Sequence, residues 1–299
     1  MLPLALATLS LFVLASTLAQ TSQAGSELRL GFWNIRDLST ASRDDTEVKQ
    51  IATVASKMDC LAIAEVNDTN ILTRLDAALA GLGGKWQRVQ TSKKVGNTSG
   101  SAEYYGFVYR SDKLAVRGKP HVLAEKMLTL PAGSEPHAFD REPFVCSFTT
   151  LDKRFDFTVI VVHITWGSGS MATTYRVAEV RALKDYFAQV QRSDTKDNDV
   201  ILCGDFNENV NDPKTLAFVL TTPAMIDSTA PNVPTTLGTS NTYDHILFQT
   251  NYLAEYTGTH GVEKFDEYLF GTNVVAAKKA CSDHRPVWIT VRVPNADDD

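Results

Sequence analysis

Hydrophobic positions along the chain follow two periodicities, one typical of strands and one typical of helices. Apolar or alternating runs predict strands at 28–34, 60–66, 104–109, 155–163, 200–204, 243–248 and 286–293. Apolar residues three or four positions apart predict helices over 45–58, 71–82 and 173–190. Helices and strands alternate early and late, with strand pairs between them. This order predicts layered α/β packing and leaves open whether there is one sheet or two.

The first apolar run, roughly Leu2 to Leu18, is uncharged and is followed by small residues. Thr17-Leu18-Ala19 and Ser22-Gln23-Ala24 both offer small-x-Ala cleavage sites. We interpret residues 1–24 as a signal peptide and expect a secreted or periplasmic protein without a membrane segment after its removal. The run lacks the usual Lys or Arg at its start, so a retained membrane anchor is the alternative.

The rest of the chain, residues 25–299, shows no internal repeat, low-complexity block or linker, and we expect a single domain. The formal net charge of −6 argues against a protein that coats nucleic acid by bulk charge. An enzyme that contacts a few phosphates locally is not excluded.

Four cysteines, Cys60, Cys146, Cys203 and Cys281, would suit two disulfides in an exported protein. Three of them lie in or beside apolar runs, where thiols often act as small core groups. Their spacing contains no CxxC, which argues against a metal–thiolate site. The sequence leaves their pairing open.

Residues suited to acid–base and metal chemistry stand at the ends of predicted strands. Glu65 could bind a hard cation such as Mg²⁺, and Asp205 could orient a water molecule. Asn207 could donate to a phosphate oxygen. His163 and His284 could serve as general acid and general base. Taken singly, each has a plain alternative as a solvated side chain, a turn residue or a structural histidine.

Other polar residues could complete such a centre. Glu103 and Asp244 are candidates for the anionic partner that fixes each imidazole. Arg141 could bind phosphate through two N–H groups, although a surface ion pair is an equal alternative. Asn34 is suited to a metal or phosphate contact, and Arg36 to backbone phosphates.

In this order, the segments Trp33-Asn34-Ile35-Arg36, Gly204-Asp205-Phe206-Asn207 and Ser282-Asp283-His284 resemble the endonuclease/exonuclease/phosphatase superfamily, and within it the DNase I-like branch. The likeness covers nearly the whole chain after the signal peptide. It implies a four-layered α/β sandwich of two packed, mostly antiparallel sheets flanked by helices.

The resemblance also implies a role for each matching residue. Metal binding falls to Asn34, Glu65 and Asp283; the imidazole partners are Glu103 for His163 and Asp244 for His284. Asp205 and Asn207 orient the phosphate and the nucleophile. Substrate contacts fall to Arg36, Arg141 and Thr239, of which Thr239 stands five residues before Asp244. Asn67 and Ser101 depart from the DNA-contacting residues of that branch, and its disulfide pattern is absent.

What the resemblance implies is a secreted, metal-dependent endonuclease that hydrolyses DNA phosphodiesters with little sequence preference and leaves 5′-phosphate ends. We expect Mg²⁺ as the cofactor, with Mn²⁺ as an alternative and a structural Ca²⁺ site left open. We expect a monomer with DNA as its substrate and no stable protein partner. His163 as the acid and His284 as the base is the favoured of two assignments. The alternatives are a sphingomyelinase or phosphoinositide phosphatase on the same scaffold, and an inactive secreted binding module.

Overall fold

The computed structural model describes residues 26–96, 101–124, 127–135, 137–193, 198–209, 225–228 and 233–296. The predicted signal peptide lies outside the described residues. The strands are β1 Glu27–Leu38, β2 Cys60–Val66, β3 Trp86–Gln90, β4 Tyr104–Arg110, β5 Leu114–Val122, β6 Phe144–Thr150, β7 Asp156–His163, β8 Val200–Asp205, β9 Ile226–Asp227, β10 Asp244–Phe248, β11 Tyr256–Val262 and β12 Val287–Arg292. The helices are α1 Asp45–Ala55, α2 Ile71–Ala80, α3 Ser170–Ser193, α4 Phe265–Phe270 and α5 Val274–Ala280.

The strands form two six-stranded sheets. The first has the order β11-β12-β1-β2-β4-β3, and the second has the order β5-β6-β7-β8-β10-β9. Only β1–β2 and β7–β8 are parallel among the strand pairs of these two sheets. All the remaining pairs are antiparallel. The sequence-based expectation of two mostly antiparallel sheets is therefore confirmed.

Aromatic side chains fill the space between the sheets. Phe107 of β4 meets Phe148 of β6 edge to face, with ring centroids 5.2 Å apart. Both rings are fully buried, and truncating one of them to alanine would cost about 3–5 kcal/mol. Because side chains alternate between the two faces of a strand, the residues next to Phe107 and Phe148 along their strands point away from this core. The inner core thus fixes the two sheets to each other.

Helices cover the outer face of each sheet. Val48 and Ile51 of α1 and Leu75 of α2 pack on the first sheet, where Trp33 also contacts Phe265 of α4. Leu183 and Phe187 of α3 pack on the second sheet, against Ile160 and Leu202 among others. The order helices, sheet, sheet, helix is the four-layered sandwich that we expected.

Helix α1 illustrates how local sequence sets an element. Asp44 accepts hydrogen bonds from the N–H groups of Thr46 and Glu47, and the Glu47 carboxylate accepts from the Asp44 N–H. This capping box satisfies donors that a helix start leaves unpaired.

All four cysteines are buried free thiols. Burial raises the pKa of Cys146 and of Cys281 to about 12, so both thiols stay protonated at neutral pH. They act as core groups, as the apolar neighbours of three of them suggested. Across the described ranges, the chain has no helix that combines the length and apolarity needed to cross a bilayer.

Candidate active site

The register of the strands brings the predicted site residues to one edge of both sheets. Because β1 and β2 are parallel, Asn34 and Glu65 lie together at their carboxyl ends. In the second sheet His163 of β7 is paired with Asp205 of β8. Asp244 begins the antiparallel strand β10 directly opposite Asp205. Strand direction and register therefore bring together side chains that are far apart in the sequence.

Irregular backbone aims two of these side chains. The pairing of β1 with β2 shifts register between Asn34 and Leu38, and the pairing of β2 with β4 shifts between Ile63 and Val66. Glu65 itself has a φ of 59°, which is rare for a residue with a side chain. Bulges next to a site turn a side chain away from its regular direction. Here the irregularity turns the Glu65 carboxylate toward Asn34.

The Asn34 amide joins the two sheets. Its Nδ2 donates to Glu65 Oε1 at 3.0 Å and to Asp205 Oδ2 at 2.9 Å. Its Oδ1 is buried and has no hydrogen-bond partner among the described residues. A buried amide oxygen without a donor is costly unless a cation or water occupies the site. Asn34 therefore offers one free oxygen beside the Glu65 carboxylate.

His163 forms the first histidine–carboxylate pair. Its Nδ1 lies 3.0 Å from Glu103 Oε2, and both side chains are buried. The same Glu103 oxygen is 3.1 Å from Arg141 Nε. Arg141 Nη1 donates to the His163 carbonyl at 3.3 Å and contacts Asp140 Oδ2 at 3.1 Å. Arg141 is therefore built into the wall of the site rather than paired at the surface.

His284 forms the second pair. Its Nδ1 lies 2.8 Å from Asp244 Oδ2. Ser282 positions this segment, because its hydroxyl donates to the Asn34 carbonyl at 2.6 Å and accepts from the His284 N–H at 3.0 Å. Trp33 Nε1 donates to the His284 carbonyl at 2.7 Å. The Ser-Asp-His segment is thus fixed to the end of β1.

Asp205 stands between the two imidazoles. Its Oδ2 is 3.7 Å from the Nε2 of His163 and 3.7 Å from the Nε2 of His284. Its Oδ1 accepts from the N–H of Asn207 at 2.9 Å. Burial favours the neutral form of Asp205, but the two imidazoles and these hydrogen bonds hold its pKa below the ordinary value. Asp205 is therefore a carboxylate at neutral pH.

Both imidazoles hold a proton more tightly than a histidine in water. Burial lowers the pKa of His284, but Asp244 and Asp205 outweigh it and raise that pKa to about 10. Burial and Arg141 lower the pKa of His163. Glu103 and Asp205 raise it by more, so the net shift of this pKa is upward. Burial raises the pKa of Asp244, which His284 opposes. The site thus concentrates positive charge around one central carboxylate.

These residues surround a cavity of about 460 Å³. All the predicted site residues line it except Asn34 and Asp244, which lie behind Glu65 and His284 and contact them directly. Asp283 contacts Arg36 across 3.4 Å at the rim. Asn207 has its Nδ2 on the Ile164 carbonyl at 3.0 Å, and Thr239 accepts from the Asn241 N–H at 3.2 Å.

Two groups of side chains that line this cavity or lie directly behind its wall could hold a metal ion. Ligand atoms of Asp205, Asp244 and His284 lie within 4.8 Å of one another. In that group, however, His284 Nδ1 is engaged by Asp244. The oxygens of Asn34 and Glu65 form the other group, with Asp283 at the rim. Oxygen ligands of this kind fit a hard divalent cation.

The sequence matches the endonuclease/exonuclease/phosphatase family over residues 31–284. The chain belongs to this family. Its matched range runs from β1 to His284 and so includes every predicted site residue. A protein named Deoxyribonuclease from Thioalkalivibrio sp. (strain K90mix) is 27% identical over 282 residues, which cover 90% of this chain and 72% of that protein.

Solved structures of the family share the fold at low sequence identity. The catalytic domain of human Nocturnin, solved with a bound sulfate anion, gives a TM-score of 0.55 at 15% identity and covers 88% of this chain and 93% of its own. A mannosyl-6-phosphatase of Bacteroides thetaiotaomicron gives 0.52 at 17% identity and covers 88% and 98%. At this identity the likeness concerns the fold alone.

Several residues of the site carried no recognisable sequence signal. Trp166, Tyr243 and Lys278 line the cavity. Glu179 lies under it on α3, where it accepts from the N–H of Asp140 at 2.6 Å and of Thr165 at 2.7 Å. The one sequence signal for Glu179 was an acidic residue within the amphipathic stretch of α3. This signal is weak, because helices commonly carry acids beside an apolar stripe.

Proposed function

We propose that the protein is a secreted, divalent-metal-dependent endonuclease that hydrolyses DNA phosphodiester bonds with little sequence preference and leaves 5′-phosphate ends. The observation that supports this most is the central carboxylate of Asp205, set between two imidazoles that each have an acidic partner. Hydrolysis of a phosphodiester needs a proton removed from water and a proton given to the leaving oxygen. Two histidines on one carboxylate can divide these tasks.

His163 and His284 present their Nε2 atoms to the cavity side of Asp205, while Glu103 and Asp244 hold the opposite ring nitrogens. An imidazole fixed in this way keeps one orientation through the reaction. Asp205 orients the attacking water, and one imidazole, in its neutral form, takes a proton from that water. In-line attack at phosphorus breaks the bond to the 3′ oxygen, and the other imidazole, in its charged form, protonates that oxygen. The products are a 3′ hydroxyl and a 5′ phosphate.

We assign the divalent cation to the oxygens of Asn34 and Glu65, with Asp283 at the rim as the family resemblance implies. The unpartnered Oδ1 of Asn34 is the observation that favours this site. When bound there, Mg²⁺ or Mn²⁺ would stabilise negative charge on the phosphoryl oxygens. Arg141 adds a fixed positive charge at the cavity wall, and such preorganised charges account for a large share of rate in this kind of chemistry.

The choice of DNA as the substrate is supported by the cavity rim and by one relative. Arg36 and Lys278 line the catalytic cavity and also a neighbouring groove of about 380 Å³ that includes Lys279. Cations in a continuous groove suit a polyanion longer than one phosphate. The Thioalkalivibrio relative carries the name Deoxyribonuclease.

The first experiment is cleavage of supercoiled plasmid by residues 25–299, with Mg²⁺ and with excess chelator. Nicking that needs the metal and disappears in His284→Ala is the expected result. His121→Ala, an exposed histidine outside the catalytic cavity, is the matched control and should cleave like the wild type. Nicking should weaken as salt is raised, because few cations guide the DNA.

A parallel sphingomyelin assay tests the lipid alternative. Headgroup release without nicking would replace the nuclease proposal by phospholipid hydrolysis, and full activity in chelator would overturn the metal site. Secretion is tested separately by sequencing the amino terminus of the protein from culture medium, which should begin after Ala19 or Ala24. A chain that retains Met1 and sediments with membranes would contradict it.

A further inference from the structure

One tryptophan stands out from the other three by its exposure. Trp166 is 77% exposed, whereas Trp33 and Trp86 are buried. The ring of Trp288 is covered by the guanidinium of Arg29, which lies 3.7 Å from its centroid. Trp166 lines the catalytic cavity, three residues after His163. The exposed indole is therefore located where a substrate must lie.

The backbone on both sides of Trp166 is held in place. Arg176 Nη1 donates to the Thr165 carbonyl at 3.3 Å and to the Gly167 carbonyl at 3.2 Å. Arg176 is itself buried and paired with Glu208 at 3.2 Å. On the other side of the loop, Thr165 donates its N–H to Glu179 at 2.7 Å. These bonds fix the loop that carries the ring.

Gly167 adds a second constraint to this loop. Its φ is 133°, and a Cβ at this position would lie 3.1 Å from the Cβ of Ala172. Only glycine adopts such a backbone without strain. Burying a large aromatic side chain is favourable, so a loop with this fixed backbone would be expected to bury the indole of Trp166 if the ring served only packing. It instead holds the indole in water.

We propose that Trp166 is the surface on which a nucleobase beside the cleaved phosphodiester stacks, an inference that rests on the proposed nuclease function. A flat ring carried on a backbone that is already fixed has only its own side-chain torsions left to order when it binds a base. Every base presents a π-face, so such a contact is tolerant of sequence. Trp166 thereby supplies a contact with DNA beside the cleaved phosphodiester.

The surroundings of the ring favour a base over a lipid bilayer. The cavity beside Trp166 is lined mostly by polar and charged groups, among them Asn207, Arg141 and Tyr243. Met171, on the first turn of α3, is the other exposed apolar side chain close in sequence. A flat aromatic group joined to a phosphate matches this combination of one ring and many polar groups.

The test pairs a change in the protein with a change in the substrate. Wild type, Trp166→Ala and Trp166→Phe are compared on a single-stranded oligonucleotide and on oligonucleotides in which single bases beside one cleavable phosphate are replaced by abasic sugars. Loss of one base–aromatic stack corresponds to about 10-fold in KM. We expect Trp166→Ala to raise KM by this factor, and Trp166→Phe to restore part of it.

One abasic position should cost the wild type the same factor and cost Trp166→Ala nothing further, because the contact is already gone. Leu151→Ala is the matched control. Leu151 is 55% exposed but lies in the turn between β6 and β7, at the end of β7 opposite His163. Effects that add independently at every position would overturn the proposal.

Fluorescence gives a readout that does not depend on turnover. In chelator, an oligonucleotide should quench the emission of the wild type and quench that of Trp166→Ala much less. An abasic oligonucleotide of equal length and charge should quench neither strongly. Equal quenching by both oligonucleotides, or quenching by sphingomyelin vesicles alone, would overturn the stacking role.

The proposed function and the stacking role fail in different ways. If the wild type leaves every oligonucleotide and plasmid intact, the nuclease function is wrong. If it cleaves them and Trp166→Ala has the wild-type KM on all substrates, the nuclease function stands and the stacking role is wrong.

Discussion

The two histidine–carboxylate pairs of the site share a geometry but differ in their neighbours. In both, Nδ1 faces a buried acid and Nε2 lies 3.7 Å from the same Asp205 oxygen. Glu103, however, is shared between His163 and Arg141, whereas the additional charge near His284 is the acid Asp283. Arg141 therefore opposes the proton on His163, while Asp283 favours the proton on His284.

Two histidine–carboxylate pairs with the same geometry can therefore bind protons with unequal strength. A bound proton is stabilised by nearby acids and destabilised by nearby cations. The reaction needs one group that donates a proton and one that accepts a proton. Two histidine–carboxylate pairs with different proton affinities can divide these roles, whereas identical pairs would titrate together.

The largest effect is expected from removing either imidazole. His163→Ala and His284→Ala should each lower kcat on plasmid DNA by on the order of 10³-fold, because each removes a proton-transfer group. If the two act in one concerted step, the double variant should be little worse than either single variant. Initial rates with Mg²⁺ measure this, with His121→Ala as the control. A single variant that retains more than a tenth of wild-type turnover would contradict the shared mechanism.

Replacing the carboxylate partners should give smaller losses of kcat and unequal losses of stability. Asp244→Asn and Glu103→Gln should each reduce kcat by on the order of 10²-fold, since the imidazoles remain but lose their anionic partner. Glu103→Gln should also destabilise the fold more, because buried Arg141 loses a partner as well. Arg141 keeps its contact with Asp140, so the added loss of stability should be smaller than the about 3–5 kcal/mol expected for a buried charge left fully unpaired. Denaturant unfolding of both variants measures the difference, and equal stability would remove the proposed special role of Arg141.

The sequence predicted much of this site because its residues stand at strand ends. His163 and Asp205 close apolar runs that are strands by composition alone, and the parallel pairing of β7 with β8 then sets them side by side. The four-layered fold was implied by the family resemblance rather than by periodicity. Strands β3, β5, β6, β9 and β11 and the short helices α4 and α5 were missed.

The missed elements have physical reasons. Strand β11, Tyr256–Val262, reads Tyr-Thr-Gly-Thr-His-Gly-Val and lacks an apolar run, since it is an edge strand in which no residue is fully buried. Strand β5 contains Gly118 and Pro120, which disfavour a strand prediction. Pairing across the sheet overrides these local preferences. The hydrogen bonds of buried Glu179 and the exposure of the Trp166 ring depend on tertiary contacts, so no local sequence pattern could have predicted them.

The pH dependence of the free energy of unfolding reports how strongly His284 binds its proton. Its pKa of about 10 lies above the ordinary 6.5, so its stabilising contribution is complete below pH 6.5 and is lost as pH rises toward 10. In chelator, the free energy of unfolding should therefore fall across this window, at no more than about 1.4 kcal/mol per pH unit. His284→Gln should lack this part of the slope, and His121→Gln should keep it. Identical slopes in all three proteins would show that His284 does not retain its proton.

The smallest expected effect comes from Glu179, which supports one pair and not the other. Its carboxylate accepts from the N–H groups of Asp140 and Thr165, which flank Arg141 and His163 in the sequence, and it has no recorded contact with His284. The amide of Glu179→Gln can accept through one atom only, so one N–H is left without its partner, at a cost of about 1–3 kcal/mol. Because the loops shift and no catalytic group is lost, kcat should fall by less than the roughly 100-fold that a 1 Å misplacement of a catalytic group can cost.

The pH dependence of this variant separates support from catalysis. Burial raises the pKa of Glu179 from 4.5 to about 7, so its contribution to stability is complete below pH 4.5 and is lost as pH rises to 7. Glu179→Gln should lack that slope, whereas the slope between pH 6.5 and 10 that belongs to His284 should remain. Glu267→Gln, which breaks an exposed ion pair with Lys264, is the control and should change neither. If Glu179→Gln altered the His284 slope as well, the two pairs would be coupled through the fold, and their inequality could not be assigned to Arg141 alone.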